Sequence, residues 1–114
     1  MGTAALILAA GAGRRLGQPK ALVQLGGLTL LEHARDLASA AGCAPVLSVL
    51  RPGVAAPPGV EGVVNPDPDA GMGGSLRIGL AALLAGTGDD VDRVVVLLVD
   101  MPSLPVAAAG RVAA

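Results

Sequence analysis

The 114-residue chain contains no phenylalanine, tyrosine or tryptophan, and its 8 basic residues are balanced by 9 acidic ones, for a formal net charge of −1. Without a basic surface for phosphates or aromatic rings for stacking bases, this composition argues against nucleic-acid binding. The core must be built from leucine, valine, isoleucine and alanine, which bury less area per residue than aromatic side chains. The 53% apolar and 15% charged fractions nevertheless argue against a disordered chain.

Cysteine and histidine are scarce as well. The single cysteine, Cys43, cannot form an internal disulfide, and no Cys/His cluster has the spacing of a zinc site. No apolar stretch approaches the roughly 20 residues of a membrane-spanning helix, and the basic residues near the start follow the apolar run instead of preceding it. We therefore expect a cytoplasmic chain without a membrane partner. Cys43 is interpreted as an inert small hydrophobic residue and His33 as structural.

Short apolar segments alternate with segments of helical periodicity. Continuous apolar runs such as AALILA and RVVVLLV predict strands that are buried on both faces of a parallel sheet. The alternation predicts βαβ units, and hence one Rossmann-like, three-layer α/β domain with a mostly parallel sheet over residues 1–114. The predicted strands are 4–9, 46–50, 60–64 and 93–99, and the predicted helices are 30–41, 75–85 and a third that begins near Pro105.

Signals at the helix ends support two of these helices. Thr29 and Glu32 have the spacing of a capping box, and Gly42 suits the end of the first helix. Ser75 is expected to cap the second helix. The residues expected to face the core are Leu30, Ala34, Leu37 and Ala41 in the first helix, and Leu76, Leu80, Leu83 and Leu84 in the second.

Three polar features directly follow predicted strands. They are a glycine-rich first loop at 11–20, a glycine-rich second loop at 65–75, and the carboxylate of Asp100. In an open parallel sheet, ligands bind beyond the carboxyl ends of the strands. We therefore expect the three features to share one edge of the sheet.

The first loop, GAGRRLGQPK, has the composition of a phosphate-binding loop. Glycines let the backbone approach a polyphosphate, and consecutive backbone N–H groups bind anions. The spacing of Gly11, Gly13 and Gly17 is one residue too long for GxGxxG, and the serine or threonine of a Walker A motif is absent. The alternative is an ordinary strand-to-helix loop, which the local positive charge disfavours. That charge comes from Arg14, Arg15 and Lys20, the single lysine of the chain.

Asp100 and the second loop supply further candidates. A carboxylate at a strand end suits Mg²⁺, which usually bridges to substrate phosphates, and the alternative is a turn or helix-cap aspartate. The second loop offers backbone groups and the Ser75 hydroxyl to a base or ribose, and the alternative is a capped turn.

Three segments together resemble the MobA-like nucleotidyltransferase family. The first resembles the family's N-terminal signature LAAGxSxRxGxxK and runs LILAAGAGRRLGQPKALVQLGGLTLLEHA, with Ala12 where serine is frequent. The second resembles the GMGxSLxxGL segment of the molybdenum cofactor cytidylyltransferase branch and runs VVNPDPDAGMGGSLRIGL. The third, VVVLLVDMP, is similar to the family's metal-binding strand end. The resemblance spans nearly the whole chain and implies a fold of the nucleotide-diphospho-sugar transferase type.

This resemblance implies roles for the matching residues. Arg15 and Lys20 would be catalytic, with Arg15 on the phosphates and Lys20 stabilising charge on the transferred nucleotide. Asp100 would bind Mg²⁺, and Asn65 stands where the guanylyltransferases have an aspartate near the base. The residues implied to contact the nucleotide are Leu8, Ala9, Ala10, Gly11, Ala12, Gly13, Arg15, Lys20, Asn65 and Ser75.

The implied reaction moves a CMP or GMP unit from CTP or GTP to a phosphorylated acceptor of the molybdopterin type and releases pyrophosphate. One alternative is a sugar- or polyol-phosphate cytidylyltransferase, which PKALVQLGGLTLLEHA also resembles, although those enzymes carry HDAARP where this chain has VDMP. Another is a nucleotide-binding fragment without turnover, because family members continue further and supply a second metal-binding carboxylate.

The resemblance therefore implies the N-terminal portion of the family's domain, either as a truncated member, as a split subunit or as the product of a shifted reading frame. A sheet that ends after the strand at 93–99 leaves this hydrophobic strand with an unpaired flank. We expect the isolated chain to self-associate or to be only partly folded, and not to be a well-behaved active monomer. A homo-oligomer or the missing C-terminal half is the expected partner.

Overall fold

A parallel sheet with helices on both faces forms the centre of the protein. The structure is a computed structural model, and it describes residues 2–10, 20–87 and 91–99. The predicted α/β class and its three layers are confirmed. The strands are β1 (Thr3–Ala9), β2 (Gln24–Leu25), β3 (Leu28–Thr29), β4 (Val46–Leu50), β5 (Glu61–Val64) and β6 (Arg93–Leu98), the helices are α1 (Leu30–Ala40) and α2 (Met72–Thr87), and 3₁₀ turns cover Lys20–Leu22 and Pro68–Ala70.

The strand β1 lies inside the main sheet, whose order is β5-β4-β1-β6 with every neighbouring pair parallel. Residues 4–9 are shielded from solvent almost completely. This burial is what the continuous apolar run AALILA predicts for a strand covered on both faces. The four strands predicted for this sheet agree with the observed ones to within one residue at each end.

The side chains of β1 alternate between two apolar clusters. Ile7 and the residues two positions before and after it pack with α1. Leu6 and the residues two positions before and after it pack with α2. The clusters are built from aliphatic side chains, as the absence of aromatic residues requires. Within the described residues, no helix has the length and apolar character to cross a membrane.

The helix α1 begins at a complete capping box. The backbone N–H of Glu32 donates to Thr29 Oγ1 at 3.1 Å, and the backbone N–H of Thr29 donates to Glu32 Oε1 at 2.8 Å. The hydrogen bond from the Thr29 backbone to the Glu32 carboxylate stabilises its ionised form and lowers the pKa of Glu32. The helix ends at Ala40, one residue before the predicted end, and Gly42 then adopts a positive φ of 81°. The predicted cap and the predicted glycine stop are both confirmed.

A hairpin precedes α1 that the sequence analysis did not predict. The strands β2 and β3 pair in antiparallel fashion across Gly26 and Gly27, which have φ values of 65° and 88°. Two consecutive positive φ angles are typical of a type I′ turn, and a Gly-Gly pair between short apolar segments is a known signal for it. His33 Nε2 donates to the carbonyl oxygen of Leu25 and holds this hairpin against α1. This contact agrees with the structural role that was predicted for His33.

Two expectations about α2 are wrong. The helix begins at Met72, so Ser75 lies inside its first turn and does not form the predicted N-cap. The positive φ of 126° at Gly71 marks the transition from loop to helix, and the following glycines are helical. The expected core residue Leu84 is 68% exposed, because the buried side of α2 contains Leu83 and the contact made at Gly79.

The strand β6 lies at an edge of the described sheet. It pairs with β1, and none of the other described strands lies along its second side. Val95 and Leu97 are nevertheless buried, because they belong to the apolar cluster that packs with α1. The unpaired flank expected from the sequence is therefore present in the described part of the chain, and self-association stays a prediction.

The close approach of α2 to the sheet predicts a specific sensitivity at Gly79. A Cβ atom at this position would lie 2.4 Å from Leu6 Cδ1 and 2.9 Å from Val49 Cγ2, and both of these side chains are fully buried. We expect Gly79→Ala to lower the free energy of unfolding by about 1–3 kcal/mol through overpacking. Urea unfolding followed by circular dichroism measures this change.

Gly86→Ala is the matched control for this substitution. Gly86 lies in the same helix, and a Cβ added there meets no atom within 4 Å. Since alanine favours helix more than glycine, we expect this variant to keep or gain stability, by up to about 1 kcal/mol. Equal stability of the two variants would contradict the packing argument.

Candidate functional site

The carboxyl ends of the four parallel strands meet at one edge of the sheet, here called the carboxyl edge. Ala10 follows β1, Arg51 follows β4, Asn65 follows β5, and Val99 follows β6. Because neighbouring strands run in the same direction, these four positions are brought together by the sheet itself. The expectation that the loop after β1 and the second loop share one edge is confirmed at their described ends.

The end of β6 is fixed beside the end of β1. Leu98 is in register with Leu8, and the backbone N–H of Val99 donates to the carbonyl oxygen of Leu8 at 3.3 Å. Val99, the last described residue of this segment, therefore lies next to the end of β1. Asp100 itself lies outside the described residues, and its predicted role as a metal ligand stays a prediction.

Asn65 and Ser75 form a buried pair. Their residues are 3% and 4% exposed, and Asn65 Nδ2 donates to Ser75 Oγ at 2.9 Å. Asn65 Oδ1 accepts from the backbone N–H of Asp67 at 2.9 Å, and its own backbone N–H donates to the carbonyl oxygen of Leu50 at 2.9 Å. Asn65 thus joins β4, the second loop and α2. The two predicted nucleotide contacts are brought together, and both take part in holding the loop in place.

Arg51 was not singled out by the sequence analysis. Its Nη1 donates to the carbonyl oxygen of Ala10 at 2.8 Å, and its Nη2 lies 3.5 Å from Asp69 Oδ2 in the second loop. The available signal was an arginine directly after a buried apolar strand, in VLSVLRPG. Such a residue emerges at the edge where ligands bind in a parallel sheet, which makes it a candidate regardless of motif matches.

The structure describes some of the other predicted site residues and leaves the rest outside the described ranges. Leu8 and Ala9 lie in β1, and Ala10 is buried at its end with 6% exposure. Lys20 opens the 3₁₀ turn that leads to the fully buried Ala21, so the chain returns to the core directly after the first loop. The predicted phosphate-loop residues Gly11, Ala12, Gly13 and Arg15 lie outside the described residues, together with Arg14 and Gly17.

The described part of the site favours binding and positioning over covalent catalysis. Cys43 is buried before β4, at the opposite edge of the sheet, and burial raises the pKa of its thiol, so it is not activated as a nucleophile. The Ser75 hydroxyl accepts a hydrogen bond from an amide, which is not a base. Among the described side chains there is also no group of three candidate metal ligands.

Comparison with known sequences gives one family match and several relatives. The family model of the MobA-like NTP transferase domain matches residues 5–114. Nicotine blue oxidoreductase from Paenarthrobacter nicotinovorans is 41% identical over 113 residues, which cover 93% of this chain and 53% of that protein. Molybdenum cofactor guanylyltransferase from Xanthomonas euvesicatoria is 37% identical over 110 residues, which cover 96% and 52%. The chain spans about half the length of these curated relatives.

Solved structures with the same fold are similar over nearly the whole chain. Rv0371c from Mycobacterium tuberculosis H37Rv has a TM-score of 0.76 at 28% identity. The match covers 98% of this chain and 58% of the Rv0371c chain. Its complex with manganese has a TM-score of 0.74 at 25% identity, with the same coverage. A 4-diphosphocytidyl-2C-methyl-D-erythritol synthase has a TM-score of 0.72 at 26% identity and covers 96% and 52%. The predicted nucleotide-diphospho-sugar transferase fold is confirmed.

The buried pair predicts a strong coupling between Asn65 and Ser75. Asn65→Ala leaves the Ser75 hydroxyl and the Asp67 N–H without their partner, so we expect a loss of about 1–3 kcal/mol in the free energy of unfolding. Ser75→Ala alone and the double variant complete a mutant cycle measured by urea unfolding. We expect a coupling energy of about 0.5–3 kcal/mol, and additive effects would show that the hydrogen bond contributes no stability.

Proposed function

Because the chain belongs to the family of MobA-like NTP transferase domains, we propose that it binds CTP or GTP at the carboxyl edge and serves in nucleotidyl transfer to a phosphorylated acceptor. The observation that carries this proposal is the convergence of the LAAG segment, the second loop and the end of β6 at that edge. The pattern agrees with a ligand that extends from the end of β1 across the sheet.

The proposal assigns the nucleotide to residues from three strands. The base and ribose would lie against the end of β1 and the second loop, and the triphosphate would lie along the first loop. Arg15 and Lys20 would neutralise its phosphates. The proposed contacts are Leu8, Ala9, Ala10, Gly11, Ala12, Gly13, Arg15, Lys20, Asn65 and Ser75.

The reaction itself is a displacement at phosphorus. A phosphate oxygen of the acceptor forms a bond to the α-phosphorus of the triphosphate, the bond to the β-phosphate oxygen breaks, and pyrophosphate leaves. No protein nucleophile is required, because the acceptor phosphate is already ionised. The protein's part is to position the two reactants and to neutralise charge, which is how phosphoryl transfer is generally catalysed.

A divalent cation is proposed at Asp100. This residue directly follows Val99, whose N–H is bonded to Leu8, so a cation held there would be close to the phosphates proposed for the first loop. A bound Mg²⁺ would supply charge neutralisation on the phosphate oxygens. Rv0371c, which is similar in fold, has been solved with manganese, and this supports a divalent cation without selecting magnesium.

The acceptor is proposed to be of the molybdopterin type. The similarity to a molybdenum cofactor guanylyltransferase supports it, and so do the GMGGSL segment and the VDMP strand end. A polyol-phosphate acceptor is the second candidate, and the similarity to the erythritol-type synthase favours it. Since the chain spans about half of its relatives, nucleotide binding without turnover is a further outcome.

A panel of titrations and a pyrophosphate assay test the proposal together. The 114-residue chain is titrated with CTP, GTP and ATP in the presence of Mg²⁺ or Mn²⁺, and with NADP⁺, because one relative is named an oxidoreductase. Pyrophosphate release is then measured with molybdopterin and with a polyol phosphate. Binding of NADP⁺ but of no nucleoside triphosphate would refute the proposal, and the acceptor that yields pyrophosphate identifies the branch.

Lys20→Ala is expected to weaken binding of the triphosphate. Lys20 is the single lysine of the chain and stands at the end of the first loop, so it is the residue best suited to a point-charge contact with phosphate. We expect a loss of about 1.5–3 kcal/mol in binding free energy, measured by calorimetric titration. Arg93→Ala removes the same charge at the start of β6, at the opposite edge, and should leave affinity unchanged. Equal affinities of all three proteins would remove Lys20 from the site.

Asp100→Asn is expected to abolish the Mg²⁺-dependent part of nucleotide binding while the fold persists. A ligand at 100 times its Kd stabilises the native state by about 2.7 kcal/mol, so thermal unfolding with CTP or GTP, with and without Mg²⁺, reports the loss. The control is Asp92→Asn, a carboxylate just before β6 at the other edge. If the Asp100 variant retains the full Mg²⁺-dependent shift, Asp100 is a turn residue.

A further inference from the structure

Arg51 connects the two loops of the carboxyl edge. It directly follows β4, which lies between β1 and β5 in the sheet. The residue therefore leaves the sheet between Ala10, which precedes the first loop, and the second loop, which follows β5.

The contacts of Arg51 use the two ends of its guanidinium group. Nη1 donates to the carbonyl oxygen of Ala10 at 2.8 Å, and Nη2 lies 3.5 Å from Asp69 Oδ2. The Arg51 side chain is 20% exposed, whereas that of Asp69 is 49% exposed. The short bond to Ala10 is thus partly buried, and the ion pair to Asp69 is more open to solvent. The planar fork of arginine suits such a bridge better than the single ammonium of lysine.

Asn65 and Arg51 attach the second loop at different points. Asn65 joins its start to β4 and to α2, through Leu50 and Ser75. Arg51 joins its 3₁₀ turn to the end of β1, through Asp69 and Ala10. The first attachment sets the distance of the loop from the helix, and the second sets its distance from Ala10.

We propose that Arg51 is a positioning residue of the nucleotide site, which sets the second loop relative to the end of β1 by bridging Ala10 and Asp69. The proposal rests on the proposed function, because both bridged segments belong to the edge assigned to the nucleotide. Arg51 acts through these two segments, since its guanidinium group is already engaged by them. Its removal changes the spacing of the site and leaves the chain's core intact.

The experiment compares Arg51→Met and Arg51→Lys with Arg35→Met. Arg35 offers a matched control, because it also pairs with an aspartate, Asp36 at 3.0 Å, and donates to a backbone carbonyl, that of Pro58 at 3.4 Å. Pro58 lies shortly before β5 begins, at the opposite edge of the sheet. Arg35→Met therefore removes equivalent chemistry away from the site.

Two readouts separate positioning from general stability. The first is hydrogen exchange without nucleotide at the amides of Asp67 and Ala70, which are both hydrogen-bonded inside the second loop. The second is the Kd for CTP and GTP with Mg²⁺. We expect Arg51→Met to speed exchange at these two amides but not in β4, and to raise the Kd about tenfold. Arg51→Lys, which can hold one partner but not both, should lie between that variant and the unaltered chain.

The possible outcomes test the role of Arg51 and the proposed function separately. Unchanged exchange at Asp67 and Ala70 in Arg51→Met, or an equal rise in Kd in Arg35→Met, would overturn the proposal for Arg51. If the unaltered chain binds no nucleoside triphosphate, the proposed function fails, and the nucleotide role of Arg51 fails with it. In that case the exchange data still show whether Arg51 sets the second loop, so the two failures are distinguishable.

Discussion

The structure depends on β1 being hydrogen-bonded along both sides while both of its faces are covered. Leu8 is in register with Val49 of β4 on one side and with Leu98 of β6 on the other. Since the strands are parallel, this registration makes their carboxyl ends level. The positions of Ala10, Arg51 and Val99 are therefore set by the sheet, and the loops inherit their starting points from it.

The packing of α2 transmits this order to the second loop. The helix approaches the sheet closely because Gly79 has no side chain, and its contact is with Leu6 of β1 and Val49 of β4. The same helix carries Ser75, which accepts the hydrogen bond from Asn65. A change in helix-to-sheet distance at Gly79 would move one partner of that buried pair. Core packing and site geometry are thus coupled through α2, because Gly79 sets the helix against the sheet and Ser75 holds Asn65.

Local signals explain what could be predicted from the sequence. The main strands were found because continuous apolar runs are unambiguous in a sheet covered on both faces, and α1 was found because Thr29 and Glu32 form a complete capping box. The shared edge followed from the alternation of strands and helices. These features depend on neighbouring residues, so one sequence is enough to identify them.

Features that depend on tertiary contacts were missed. The start of α2 was misplaced because a run of glycines disfavours helix on propensity alone, whereas packing at Gly79 favours it. The spacing of the leucines alone predicts that Leu84 faces the core. The buried side of α2 is instead the side that carries Gly79 and Leu83, and Leu84 lies outside it. Arg51 was passed over because its partners, Ala10 and Asp69, are distant in sequence. A charged residue directly after a buried strand is the sequence signal that covers this last case.

The charged residues that follow β4 and β5 show which part of the carboxyl edge could attract a triphosphate. After β4 and β5 the described residues offer one arginine, Arg51, against two aspartates, Asp67 and Asp69. Since Arg51 is paired with Asp69, this part of the edge gives a triphosphate no net attraction. Under the proposed function, the positive charge would come from the three basic residues of the first loop and from a cation at Asp100. The described residues would then fix the geometry, and the segments at 11–20 and 100 would supply the electrostatics.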